Sequence, residues 1–211
     1  MKRQSARNIV ITGATGDIAQ AVVKRLPNDQ LFLLSRSLTE PELPEKVDIL
    51  INNAGFGQFE FLQDLSEAQI DEMFKVNTLD AVKLTRKLRP TKVVNIASIA
   101  GHLPTEKSSI YAASKAALIV FGEALRFEGV QVLNVNTGPV ITKFHAARPD
   151  YLEKVGRHAV TADFVAEKIV RNLNSHKREL NLPWTLAVAV KLRALFPGLI
   201  DRISRRFFNY K

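Results

Sequence analysis

The stretch Thr12-Gly13-Ala14-Thr15-Gly16-Asp17-Ile18-Ala19 constrains the fold of this chain more than any other. It follows a β-branched apolar run, Asn8-Ile9-Val10-Ile11, which reads as a buried strand. It leads into residues 17–26, whose apolar positions 18, 21, 22 and 26 share one face of a helix. A strand that stops at glycine and turns straight into a helix brings free backbone N–H groups against a phosphate. Gly13 permits the tight turn, Gly16 permits close approach, and Ala19 lets the helix lie on the strand. The turn predicts a dinucleotide site built from Gly13, Thr15, Gly16, Asp17 and Ile18.

The remainder alternates in the same manner. Strands are predicted over Leu31–Leu34, Val47–Ile51, Lys92–Ala97 and Val130–Val135. Helices are predicted over 66–88, capped by Ser66, and over 109–127 and 161–174. This order predicts an α/β fold: a Rossmann-like doubly wound parallel sheet with helices on both faces. With 211 residues and 46% apolar content, a single core is expected. The expected division is a catalytic domain over 1–180 and a hydrophobic, basic extension over 181–211.

Composition excludes several classes. There is no Cys, so disulfides and thiolate chemistry are absent, and the four His residues show no metal-ligand spacing. The net charge of +9 comes without any nucleic-acid-binding signature, and no nucleic-acid partner is expected. The basic N-terminus leads into only four apolar residues, so no signal peptide is expected, and no long apolar window spans a membrane. The expected location is cytoplasmic.

NAD-specific folds place an acid about 20 residues beyond the glycine turn, at the adenosine ribose. Here the second strand ends Leu34-Ser35-Arg36-Ser37, with no acid. Ser35 and Arg36 instead suit a 2′-phosphate, and NADP(H) is expected rather than NAD. The alternative for Arg36 is a solvated side chain at a strand end. Further on, Tyr111 and Lys115 lie four residues apart on one face of a helix. Ser98 ends the preceding strand, where a parallel sheet presents residues to its ligand crevice. An ammonium beside a phenol favours phenolate, so Tyr111 can serve as acid or base while Ser98 holds a carbonyl oxygen.

Taken together, the chain resembles the short-chain dehydrogenase/reductase family. The resemblance rests on the glycine turn, Asn52-Asn53-Ala54-Gly55, Asn77, Ser98, Tyr111-Ala-Ala-Ser-Lys115 and Asn136-Thr137-Gly138-Pro139-Val140-Ile141-Thr142, in family order. It implies that Tyr111 is the acid/base and that Lys115 binds the nicotinamide ribose and tunes Tyr111. It implies that Ser98 polarises the substrate carbonyl and that Asn77 holds a relay water. Gly138, Val140 and Thr142 would meet the nicotinamide end, and Asn53, Ala54 and Gly55 would back the adenosine side. The implied substrate is a small carbonyl or alcohol compound, and a homodimer or homotetramer is expected. The alternative function is a weak or inactive dinucleotide-binding regulatory protein.

Three features depart from the family pattern. Asp17 stands where a glycine is usual, and Thr137 stands where a proline is usual. Only residues 37–46 connect the second strand to the third, so one peripheral strand is expected to be missing. Ten extended residues reach about 33 Å, enough to cross back over a strand of roughly 17 Å. Phe56, Phe59, Leu103, Val140 and Phe144 flank the crevice motifs and favour a hydrophobic substrate. His145 and Arg148 are polar candidates there, and 143–160 is the expected lid. The extension mixes apolar and aromatic residues with cations, which fits packing on the domain, on a partner subunit or on a membrane surface.

Overall fold

The computed structural model describes residues 6–39, 41–145, 153, 156 and 159–207. Arg148, the side chain of His145 and much of the expected lid lie outside the described residues.

The glycine turn joins β1 (Asn8–Thr12) to α1 (Asp17–Val23), as the sequence predicts. α1 stops at Val23, short of the predicted end at residue 26; Pro27 follows two turn bonds there, and Leu26 is still buried. β2 (Gln30–Leu34), β3 (Ile49–Asn52), β4 (Lys92–Ser98), β5 (Gln131–Thr137) and β8 (Glu179–Leu182) complete one sheet. Its order is β2-β1-β3-β4-β5-β8, and every pairing is parallel. β6 (Val140–Ile141) and β7 (Val160–Thr161) form a separate two-stranded patch that the sequence pattern did not reveal.

Inward residues of the central strands build the main core against α1 and α5 (Ala162–Asn172). Ile9, Ile11, Ile51, Val94, Leu133 and Val135 meet Val22, Val165 and Ile169 there. Each such side chain contributes about 1.5–3 kcal/mol by leaving water. The opposite face carries α4 (Ser109–Phe127) and a helical rod running from Glu67 to Leu88. Under these helices Asn52, Asn95 and Asn134 stand at one register on three adjacent strands. They form a buried ladder, Asn52 Nδ2 donating to Asn95 Oδ1 (3.0 Å) and Asn95 Nδ2 to Asn134 Oδ1 (3.1 Å). Asn134 Nδ2 then donates to the Ile119 carbonyl at 2.9 Å, so the row crosses a dry face with its side-chain N–H groups partnered, while Asn52 Oδ1 is buried without a partner among the described residues.

The rod was expected to be one regular helix over 66–88. It is α2 (Glu67–Phe74) and α3 (Asp80–Leu88) joined by a π turn, Lys75–Leu79. The wider turn swings Asn77 and Thr78 inward onto α4: Asn77 Nδ2 reaches Ser114 Oγ (3.0 Å) and Thr78 Oγ1 reaches the Ser114 carbonyl (2.8 Å). Such single π turns commonly mark functional positions.

The short connection after β2 behaves as its length requires. It crosses β1 to reach β3, and β2 is left as the sheet edge among the described residues. Leu43 from this connection packs beside Val10, Leu50, Phe32 and Leu34 with Leu84 and Leu88 of α3. Leu43 and the end of α3 together cover this face.

The division placed at residue 180 falls inside β8, whose Leu182 pairs with Thr137. After it come α6 (Thr185–Leu195) and α7 (Pro197–Phe207). Arg193 on α6 clips α7 through Asp201 (2.8 Å) and donates to the His102 carbonyl (2.9 Å), tying the extension to its own domain.

Candidate active site

The C-terminal ends of the strands open onto one cleft of about 1600 Å³. It is larger than the roughly 300–1,000 Å³ usual for a small-ligand pocket, which leaves room for a long ligand and a second molecule. One of its walls is Leu34, Ser35, Arg36 and Ser37, and its floor is the glycine turn with Asn53, Ala54 and Gly55. Its far end holds Ser98, Tyr111, Lys115, Gly138, Val140 and Thr142. Phe56, Phe59, Leu103 and Phe144 line it too. Of the predicted site residues that are described, Asn77 alone does not line the cleft.

The turn is shaped by contact with the β3 loop. Gly13 has φ +60°, and a Cβ there would lie 2.8 Å from the Ala54 Cα. Thr12 Oγ1 accepts from the backbone N–H of both Asn53 and Ala54 (3.0 Å each). Asn53 Nδ2 donates back to the carbonyls of Thr12 (3.1 Å) and Gly13 (2.9 Å). Side-chain-free backbone, a helix N-terminus and open cleft above them fit a dinucleotide pyrophosphate. Asp17 marks a local departure: its Oδ2 accepts from the Lys143 backbone N–H at 2.6 Å, a bond across the cleft from α1 to the loop after β6.

The far end is better enclosed. Ser98 ends fully buried β4, and its Oγ accepts from the Ala100 N–H (3.1 Å) and donates to the Thr137 carbonyl (3.4 Å). Tyr111 is buried, edge-on to Phe59 with ring centroids 5.1 Å apart, and 6.2 Å from the Phe144 ring. Lys115 Nζ lies 6.0 Å from the Tyr111 ring centre and donates to the Ile96 carbonyl at 3.1 Å. Burial pushes the Lys115 ammonium down from 10.5 to about 8, because dry surroundings disfavour its charge.

Asn77 sits behind this group. Its Oδ1 accepts from the Phe56 N–H and its Nδ2 donates to the Phe56 carbonyl, both at 2.9 Å. With the Ser114 bond, its side-chain amide is committed to holding the β3 loop against α4. Ser114 in turn donates to the Tyr111 carbonyl at 2.8 Å. Thr12 and Ser114 are positioning residues that the sequence did not single out, although both lie inside the motifs. Their role depends on which backbone groups their hydroxyls meet, which spacing alone cannot read.

The extension supplies a wall that the motifs did not predict. Leu186, Ala189 and Leu192 of α6 and Ile200 and Ile203 of α7 line the same cleft. Gly138 makes this approach possible: its N–H donates to the Leu182 carbonyl (2.7 Å), and a Cβ would meet Leu186 Cδ1 at 2.7 Å.

The fold and this cleft define a class, and comparison with known proteins agrees. The chain matches the short chain dehydrogenase family over residues 39–152 and belongs to that family. It is similar to the ketoacyl reductase HetN of Nostoc sp., 42% identical over 78% of this chain and 65% of that protein. The chain spans about 65% of the length of curated relatives of this kind. The fold is shared with a short chain dehydrogenase from Burkholderia cenocepacia in complex with NADP, at TM-score 0.77 and 16% identity, covering 93% and 96% of the two chains. It is shared also with one from Burkholderia phymatum in complex with NAD, at TM-score 0.75 and 20% identity, covering 93% and 96%. The chain is thus an oxidoreductase-family member with a Rossmann-like, nucleotide-binding architecture.

Proposed function

We propose that this protein transfers hydride between NADP(H) and a hydrophobic carbonyl or alcohol compound, with Tyr111 as acid and base. The observation that carries the proposal is the meeting of Ser98, Tyr111 and Lys115 at one end of a cleft whose other end is the glycine turn. When bound, the reduced nicotinamide supplies a hydride to the carbonyl carbon. Ser98 donates a hydrogen bond to the carbonyl oxygen, and Tyr111 gives that oxygen its phenolic proton, completing the alcohol. Lys115 holds the nicotinamide ribose and lowers the Tyr111 pKa by its charge. Asn77, its amide already committed to Phe56 and Ser114, positions the loop. Gly13, Thr15, Gly16 and Ile18 cradle the pyrophosphate, while Gly138, Val140 and Thr142 face the nicotinamide.

Arg36 supports NADP(H) over NAD: its guanidinium is 88% exposed at that end of the cleft, with a 3.9 Å contact to Glu72 among the described residues. It is available to a 2′-phosphate, which it can grip with two parallel bonds. Phe56, Phe59, Leu103 and Phe144 support an apolar substrate.

A second reading, a dinucleotide-binding regulatory protein with little turnover, is favoured by the Asp17 bond to Lys143. That carboxylate lies at the helix N-terminus where a pyrophosphate would sit. Absorbance loss of NADPH with a panel of hydrophobic aldehydes and ketones separates the two. Turnover that disappears in Tyr111→Phe supports the enzyme; NADPH binding without turnover across the panel supports the regulator.

A further inference from the structure

Part of the extension's apolar surface lines the cleft, and part of it stays open to water. On α6, Leu186 and Ala189 point to the cleft side. Trp184, Val188, Leu192 and Leu195, spaced at three- and four-residue intervals, form an exposed stripe. Trp184 is 73% exposed and Leu195 is 70% exposed, and Phe196 and Leu199 continue the patch onto α7. A patch of large side chains held open to water on an ordered helix pair marks an interaction surface. Val188, Leu192 and Ile203 belong both to this exposed surface and to the cleft lining, so the cleft opens where the patch lies.

Charge selects the occupant. Residues 183–211 carry six Lys and Arg against one acid, Asp201, and that acid is already paired with Arg193 at 2.8 Å. Lys191 and Arg202 are exposed beside the apolar stripe. A basic rim around tryptophan, leucine and phenylalanine is the pattern of a helix lying in a lipid interface, with cations at the headgroups and apolar side chains below them. Among the described residues no helix is long and apolar enough to cross a membrane, so the contact is peripheral.

We propose that the α6–α7 face docks on an anionic lipid surface and places the mouth of the cleft against it, so that the substrate is a carbonyl compound that partitions into lipid. The docking stands independently of catalysis; the substrate class rests on the function proposed above.

Trp184 is the chain's single tryptophan, which makes its emission a direct reporter. The intact chain is titrated with vesicles of phosphatidylglycerol and phosphatidylcholine, and with phosphatidylcholine alone. Docking predicts a blue shift and co-sedimentation with the anionic vesicles, weakened by salt. The double variant Lys191→Glu/Arg202→Glu is expected to bind at least ten-fold more weakly, and Leu195→Ser/Phe196→Ser to lose the shift. Both are expected to keep the far-ultraviolet circular dichroism of the parent. No shift with anionic vesicles overturns the proposal, and so does a blue shift that follows protein concentration without lipid, which assigns the face to a second copy of the chain. If the enzyme reading fails, vesicle binding survives it. If both hold, a long-chain ketone presented in anionic vesicles is reduced faster than in neutral ones, and the charge-reversal variant loses that advantage.

Discussion

The two ends of the cleft are built to different standards. At the Tyr111 end every residue of β4 is buried, and β4 is paired with β5 over its whole length and with β3 over Lys92–Asn95. Ser98, Lys115 and the Asn77–Ser114 pair are each held there by hydrogen bonds to neighbouring main chain or to one another. At the Arg36 end β2 is a half-buried edge covered on one face by Leu43 with Leu84 and Leu88 of α3, and the Arg36 side chain is 88% exposed. The difference teaches that the end proposed for proton transfer is held firmly by buried contacts, while the end proposed for the cofactor's adenosine is more thinly built. Catalytic geometry degrades steeply with small displacements, whereas binding contacts far from the chemistry can be lost by degrees.

The comparison can be broken most decisively at Tyr111. Tyr111→Phe is expected to lower the rate of carbonyl reduction by about 10²–10⁴-fold, with NADPH affinity by fluorescence titration unchanged. An equal loss in affinity and rate would mean that the two ends are not separable.

Lys115→Met comes next and has two signatures. Turnover is expected to fall by about 10²-fold, since the charge next to Tyr111 is gone. Stability is expected to rise at neutral pH. The folded-state pKa is depressed to about 8 from 10.5, which corresponds to a folding penalty of about 3 kcal/mol. That penalty is fully present below pH 8 and fades as pH climbs from about 8 to 10.5, where the unfolded chain also loses the proton. Denaturant unfolding should therefore show the variant's advantage at pH 7 shrinking toward pH 10. In the parent, reduction should decline as pH rises through about 8, as the ammonium discharges.

At the other end the effects are smaller. Arg36→Ala is expected to weaken NADPH by about ten-fold, or 1.4 kcal/mol, and to leave NADH unaffected. Equal weakening of both would place Arg36 away from the 2′-phosphate. Leu43→Ala, in its thin layer over β1 and β2, is expected to cost about 1–2 kcal/mol by chemical denaturation, at the low end of large-to-small substitutions because the site is only partly buried.

How much was legible in the sequence follows the same division. The glycine turn, the order of strands and the residues of both ends come from local signals: a β-branched run, a glycine, a four-residue spacing. The missing peripheral strand was legible too, because a ten-residue connection leaves no room for a helix. The π turn at Asn77 was not, since its cause is a contact between α2, α3 and Ser114 that no residue on the rod announces. Nor was the end of the domain: a four-residue strand pairing at β5 looks like any short apolar run until its partner is known. The cleft wall formed by α6 and α7 escaped for a related reason, as a helix apolar on two faces does not say which one is covered.

The central claim is that the enclosed end of the cleft performs hydride transfer governed by Tyr111. Incubating the protein with NADPH deuterated at the transferring position and a hydrophobic ketone, then weighing the alcohol by mass spectrometry, tests it directly. The account predicts an alcohol carrying one deuterium on its carbinol carbon from the parent chain, and at least a hundred-fold less from Tyr111→Phe. Deuterium transfer undiminished in Tyr111→Phe, or none from the parent across the ketone panel, would contradict it.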